Sequence, residues 1–145
     1  MTEKLFSEYF PLAIIVLWPA ATGFISAIGG WGTLAEFYRK PPDKKCGNKP
    51  ILLSGVGMRF MLGYHNCVFA AADNDGLYLS VIFLFRLFHP PLFIPWPDIK
   101  AERRKYLFVF NMIRLDTDKS PGIPIDILER HAKQLGIIER LKIQP

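Results

Sequence analysis

YFPLAIIVLWPAATGFISAIGGWGTLA, residues 9–35, contains no Asp, Glu, Lys, Arg or His and lies between Glu8 and Glu36. A helix that crosses a hydrocarbon layer of about 30 Å needs about 20 apolar residues at about 1.5 Å each. The 22 residues from Tyr9 to Gly30 meet that length. Pro11, Pro19, Gly23, Gly29, Gly30 and Gly32 interrupt the run, but lipid-embedded helices tolerate Gly and Pro better than soluble ones. The pattern predicts a transmembrane helix over residues 9–30. A secretory signal would want a basic flank, whereas Lys4 is outnumbered by Glu3 and Glu8. A helix lying flat in the interface would want one strongly polar face, and residues 9–35 offer no charged one. A buried helix or helical hairpin, broken at Pro19 or at Gly29-Gly30 and packed on the C-terminal domain, stays open.

The flanks predict the orientation, because Lys and Arg in short loops resist translocation. Lys4 stands alone before the run, and Arg39, Lys40, Lys44, Lys45 and Lys49 come after it. The expectation is a single-pass protein of the cell's inner membrane with its C-terminal domain in the cytoplasm. Trp31, Phe37 and Tyr38 have the amphipathic rings that settle at headgroup depth. Trp18, in mid-run, is expected to pack instead.

With the anchor removed from 145 residues, roughly 100 remain, the size of one domain. Hydrophobic residues at 50% and aromatic ones at 14% supply a core and exclude disorder of the main part. The net charge of +5 suits the neighbourhood of anionic lipid. Cys46 and Cys67 have no Cys or His at ligand spacing, so no zinc site is expected.

Trp31, Leu34, Ala35 and Tyr38 recur at i, i+3, i+4 and i+7, which predicts a short helix ending before Pro41-Pro42. Residues 41–50 form a polar, basic linker. From Ile51 the apolar period becomes two, the mark of antiparallel strands. Strands are expected at Ile51–Met61, Asn66–Ala72 and Leu77–Phe85, the last placed centrally because it is apolar on both faces. Asp73-Asn74-Asp75-Gly76 supplies the hairpin turn between the second and third. Four prolines between Pro90 and Pro97 allow only an edge piece around Phe93-Ile94, and Trp96 is expected to plug a corner of the core, mostly buried. Ile99–Arg104 and Tyr106–Asn111 read as a strand pair, and Met112–Asp116 as a last strand or the continuation of the second. Ile125, Leu128, Ala132 and Leu135 then suggest a final amphipathic helix stopped by Gly136. The expected organisation is a flank (1–8), a transmembrane helix (9–30), a juxtamembrane helix with basic linker (31–50), a sheet domain (51–136) and a tail (137–145).

Six or seven antiparallel strands and one C-terminal helix is the layout of a pleckstrin-homology-like, partly open barrel. Gly76-Leu77-Tyr78-Leu79-Ser80, then Phe85-Arg86, then Ile94-Pro95-Trp96-Pro97-Asp98-Ile99 resembles the Gly-Leu-Tyr-Leu-(Ser/Thr)…Ile-Pro-aromatic-x-x-Ile pattern of the PH-like/GRAM superfamily. Gly30-Trp31 with Leu34, Ala35 and Tyr38 is similar to the entry of uncharacterised bacterial proteins of that type. The resemblance spans roughly residues 30–136, and it marks Gly76, Tyr78, Pro95 and Trp96 as structural residues.

Such a fold binds phosphoinositides, other lipids or peptides, and it does not choose among them. A phosphoinositide-binding PH domain clusters Lys and Arg on its first two strands, where this chain offers only Arg59 and His65. Lys100, Arg103, Arg104 and Lys105 read as a solvated strand face. There is no phosphate loop, no nucleophile motif and no paired metal ligands. No enzyme, no cofactor and no nucleic-acid partner is expected. The reading is a membrane-anchored cytoplasmic module that meets anionic lipid of the inner leaflet through Arg39, Lys40, Lys44 and Lys45. The alternative is a structural or adaptor protein whose PH-like surface binds another protein at the membrane.

Overall fold

The computed structural model describes residues 1–59 and 63–144. Its first element is one long helix, α1 (Thr2–Gly29), which keeps its course through Pro11 and Pro19. Its most apolar window has a mean hydropathy of 1.9 and is only 17% buried. That exposure separates it from an ordinary core helix, whose apolar surface would be covered. By length and composition it is able to span a membrane.

Gly30 ends α1 in the left-handed conformation (φ 87°) and begins α2 (Trp31–Tyr38). A Cβ at Gly30 would stand 2.5 Å from the Ile123 side chain, so both conformation and space call for glycine. Trp31, Leu34, Ala35 and Tyr38, the positions picked out by the helical period, are all buried. They pack on strands of both sheets, so α2 belongs to the same core as the strands.

The rest is mainly antiparallel sheet. The strands are β1 (Ile51–Leu53), β2 (Val56–Gly57), β3 (Gly63–Tyr64), β4 (Val68–Ala72), β5 (Gly76–Val81), β6 (Leu92–Pro95), β7 (Ile99–Tyr106), β8 (Phe110–Thr117) and β9 (Ser120–Leu128). One sheet has the order β1-β4-β5-β6 and the other β3-β2-β9-β8-β7. Among the described residues the two sheets do not close into a barrel. Alternation sends Ile113 and Leu115 of β8 and Ile123, Ile125 and Ile127 of β9 into the core. On the outer face Arg114 holds the Asp126 carboxylate with two hydrogen bonds of 2.8 and 2.9 Å. At the open edge, β7 carries Lys100, Glu102, Arg103, Arg104 and Lys105, charges that discourage pairing with another strand.

Several expectations need correction. The strand expected over Ile51–Met61 is two short ones, β1 and β2, and Met61 lies outside the described residues. The strand expected to reach Phe85 stops at Val81, and Phe83–Phe85 forms a 3-10 turn. The segment Ile99–Asp116 makes two strands, with Met112–Asp116 continuing the second, but the turn falls at Leu107-Phe108 rather than near Lys105. Ile125 and Leu128 belong to β9, and the helix there is only α3 (Glu129–Gln134), followed by α4 (Ile137–Arg140). The run Ile123-Pro-Ile-Asp-Ile127 satisfies a period of two as well as the helical spacing of Ile125 and Leu128. The β-branched residues and pairing with β8 decide for the strand. Ile137 is fully buried, so the core extends into the segment expected as a tail.

The β7–β8 turn carries strain. Leu107 (φ 51°) and Phe108 (φ 60°) both have positive φ in the three-residue connection between the paired residues Tyr106 and Phe110, and Val109 N–H donates to the Tyr106 carbonyl at 3.2 Å. Asn and Gly are the residues that adopt positive φ at least cost. Replacing Leu107 and Phe108 together by Asn and Gly should raise stability by about 1–2 kcal/mol. Chemical unfolding in detergent micelles would read this as a higher midpoint. At Gly76 a Cβ would run into the Ile94 carbonyl oxygen and the Phe93 ring. The same assay should therefore show Gly76→Ala destabilised by about 2–3 kcal/mol, the cost of overpacking against backbone.

Candidate functional site: the junction of the apolar helix and the sheet domain

The last third of α1 does not stand free. Trp18, Thr22 and Ser26, four residues apart, form one polar stripe on an otherwise apolar helix. Trp18 Nε1–H donates to the Leu84 carbonyl at 3.0 Å, and its ring stacks on Phe85 with centroids 5.3 Å apart. Ser26 Oγ–H donates to the Phe88 carbonyl at 2.7 Å. Thr22 returns its hydroxyl to the helix, to the carbonyls of Trp18 and Pro19. Gly23 leaves the space that the Phe88 ring fills, 3.3 Å from where a Cβ would be. Phe88 has φ 79°, a conformation costing a bulky residue about 1–2 kcal/mol, and these contacts hold it there.

Beside this seat lies a buried aromatic cluster. Trp31, Tyr64 and His89 have ring centroids 5.6–5.7 Å apart. Trp31 Nε1–H donates to the Pro90 carbonyl at 2.9 Å, and the Tyr64 hydroxyl meets His89 Nε2 at 3.2 Å. A Cβ at Gly29 would stand 2.7 Å from that hydroxyl, so the end of α1 touches the cluster too. Burial pushes the Tyr64 phenol up to about 12. Burial also pushes the His89 imidazole below its ordinary value, against a weaker pull from the Phe85 carbonyl, and Nδ1 makes no full hydrogen bond.

The basic residues around the linker lie in two places, Arg39 in the pocket beside the seat and the others further along. Arg39 and Lys45 are exposed. Lys40 Nζ donates to the Lys44 carbonyl at 2.8 Å, and Lys44 Nζ lies 2.8 Å from Asp75 and over the Phe93 ring at 4.8 Å. These contacts strap the linker to the β4–β5 turn and β6. That turn opens β5, whereas residues 82–88 leave its other end, some 17–20 Å away along six residues. Of the four residues expected to meet lipid, Arg39 therefore lines the pocket at the seat of α1 beside Gly23, Ser26 and Phe88, whereas Lys44 is held at the β4–β5 turn.

The four structural residues do gather, around Asp73. Its carboxylate accepts the Asp75 and Gly76 N–H groups at 2.8 and 3.2 Å and the Tyr78 hydroxyl at 2.9 Å. Burial raises the Asp73 pKa, but those hydrogen bonds outweigh it and hold the group below its ordinary value. Gly76 pairs with Pro95, and Trp96 Nε1–H donates to the Asp73 carbonyl at 2.8 Å. Trp96 packs against the core and keeps part of its surface exposed; its indole N–H faces this turn and its ring faces Arg140 at 5.1 Å. Among the described residues no three His, Cys, Asp or Glu could together hold a metal ion.

Sequence reading missed residues 82–88 as part of the site, since Ile82-Phe-Leu-Phe-Arg-Leu-Phe88 looks like more of a buried strand. The available signal was the stripe of Trp18, Thr22 and Ser26, which asks for polar partners along a helix otherwise suited to lipid. The chain matches no protein-family model, no curated protein and no solved structure.

Folded His89 takes up a proton less readily than His89 in the unfolded chain, so stability present above about pH 6.5 is lost as pH falls below it. From about pH 7.5 to about pH 5 the thermal midpoint in micelles should fall, by roughly 2–4 °C per kcal/mol lost. His89→Gln should flatten that slope, and an equal slope in wild type and variant would exclude His89 as its source.

Proposed function

We propose that the chain is a membrane-anchored, non-enzymatic binding module of the PH-like kind, with α1 crossing the inner membrane and the sheet domain in the cytoplasm. The observation that carries this reading is the double character of α1. Its first two thirds expose apolar side chains, among them Ile15, Val16 and Leu17 at 65–69% exposure. Its last third is fixed to the domain by hydrogen bonds and ring contacts. An uncharged surface of that size is costly in water and at ease in lipid. The PH-like assignment is supported by the convergence of Gly76, Tyr78, Pro95 and Trp96 on one turn, and by a short helix after the last strand.

Of the two partner classes, a protein partner is favoured. Lys40 and Lys44 are taken up by internal contacts, which removes half of the basic set suited to anionic lipid. A domain fixed to its helix also presents the remaining surface in a constant orientation, as an adaptor requires. The anionic-lipid reading rests on Arg39 and Lys45, which stay exposed.

Alkaline carbonate should leave the full chain in membranes, and a C-terminal reporter should be active only on the cytoplasmic side. Release by carbonate would overturn the anchor, and an externally active reporter its orientation. In nanodiscs, the thermal midpoint should be the same with neutral and anionic lipid. A rise with anionic lipid that is lost in the double variant Arg39→Gln, Lys45→Gln would decide for the lipid reading instead.

A further inference from the structure

Residues 82–88 expose Phe83 (80%), Leu84 (62%), Leu87 (51%) and Phe88 (52%) with Arg86 as their one charge. The depth of this turn is set by its attachment to α1. Glu8 is the last charge before the apolar run, so a hydrocarbon layer entered at Tyr9 and crossed in about 20 residues is left near Ile28. Trp18 and Ser26 both lie inside that interval. The turn they hold, through the carbonyls of Leu84 and Phe88, lies inside it as well.

The backbone of the turn independently suits such a place, because polar groups in lipid must be satisfied within the protein. Ile82 N–H donates to the Cys67 carbonyl. Phe85, Arg86 and His89 N–H groups donate to the carbonyls of Ile82, Phe83 and Arg86. The Leu84 and Phe88 carbonyls accept from α1, and the Val81 carbonyl accepts Arg86 Nε–H at 3.3 Å. Arg86 has the long stem that carries a charge out of the apolar layer to the interface.

We propose that residues 82–88 are a second membrane-inserted element, a turn that lies against α1 within the hydrocarbon layer with Phe83, Leu84, Leu87 and Phe88 among the acyl chains. This rests on the reading of α1 as the anchor. The occupant of the apolar face is lipid, because the helix that holds the face is itself committed to lipid at that level.

The test uses the full chain with Cys46→Ser and Cys67→Ser, reconstituted in phosphatidylcholine vesicles. Single cysteines at Phe83, Leu84, Val16 and Asp118 carry nitroxide labels, and retained sheet content is checked by circular dichroism. Collision with oxygen, which concentrates in lipid, is compared with collision with a water-soluble nickel chelate. Labels at Val16, Phe83 and Leu84 should favour oxygen several-fold over the label at Asp118, where the preference inverts. Lipid-like accessibility at Val16 with water-like accessibility at both Phe83 and Leu84 would overturn the proposal and leave the anchor standing. Water-like accessibility at Val16 would overturn the anchor and the proposal with it. Labels at Phe83 and Leu84 shielded from both reagents and broadened by spin–spin contact would show a second copy on this face, overturning the lipid assignment.

Discussion

The left-handed turn at Gly30 is the constraint on which the arrangement depends. On one side of it the apolar run is a helix whose surface is largely exposed, and on the other it is a helix with Trp31 and Leu34 wholly buried. The same apolar composition thus gives an exposed helix on one side and a buried one on the other. A Cβ at Gly30 would strike Ile123, a core residue of β9, so the change of direction happens in contact with the sheet. Because the break is seated this way, α1 leaves the domain at a fixed angle and can be gripped along its last turns by residues 82–88.

Around that grip the polar groups are used sparingly. Trp18 and Ser26 direct their hydrogen bonds to carbonyls of a turn, and Thr22 satisfies its own helix. The Tyr64 hydroxyl and His89 Nε2 satisfy each other in the cluster behind. The turn itself exposes apolar side chains with Arg86 as its one charge, and Glu36 and Arg39 line the pocket beside the seat.

At the other end of β5 the chemistry is the reverse. Asp73, Asp75, Lys44 and Tyr78 form a hydrogen-bonded and ionic cluster over the first hairpin. The linker after α2, polar and proline-bearing, is tied down there rather than left loose. The module therefore has an apolar end that holds the helix and a polar end that holds the linker, separated by the length of a strand. The β7–β8 turn departs from this division, with Phe108 exposed at 97% and two bulky residues at positive φ; no contact among the described residues accounts for that strain.

Local periodicity and turn chemistry were enough for the apolar helix, for α2, for the Asp73–Gly76 hairpin and for the proline-limited edge strand, because each depends on residues within a few positions of one another. The amphipathic spacing of Trp31, Leu34, Ala35 and Tyr38 and the turn preference of Asp, Asn and Gly act locally. Long-range pairing decided the rest. Ile125 and Leu128 fit a helix equally well until β8 supplied a partner, and a ladder of cross-strand pairs outweighs a weak helical period. Residues 82–88 read as strand because they are apolar. They became a surface turn because the hairpin partner of β5, β4, begins at Val68, opposite Val81. For the basic residues of the linker the sequence shows charge without showing partners, and the fold brings Asp75 to Lys44 and the Lys44 carbonyl to Lys40. By itself the sequence determined that one long helix is apolar enough to span a membrane and that an antiparallel sheet comes after it. Only the tertiary structure decided where that helix is held and by which side chains, since the groups that meet there are separated by some 60 residues of chain.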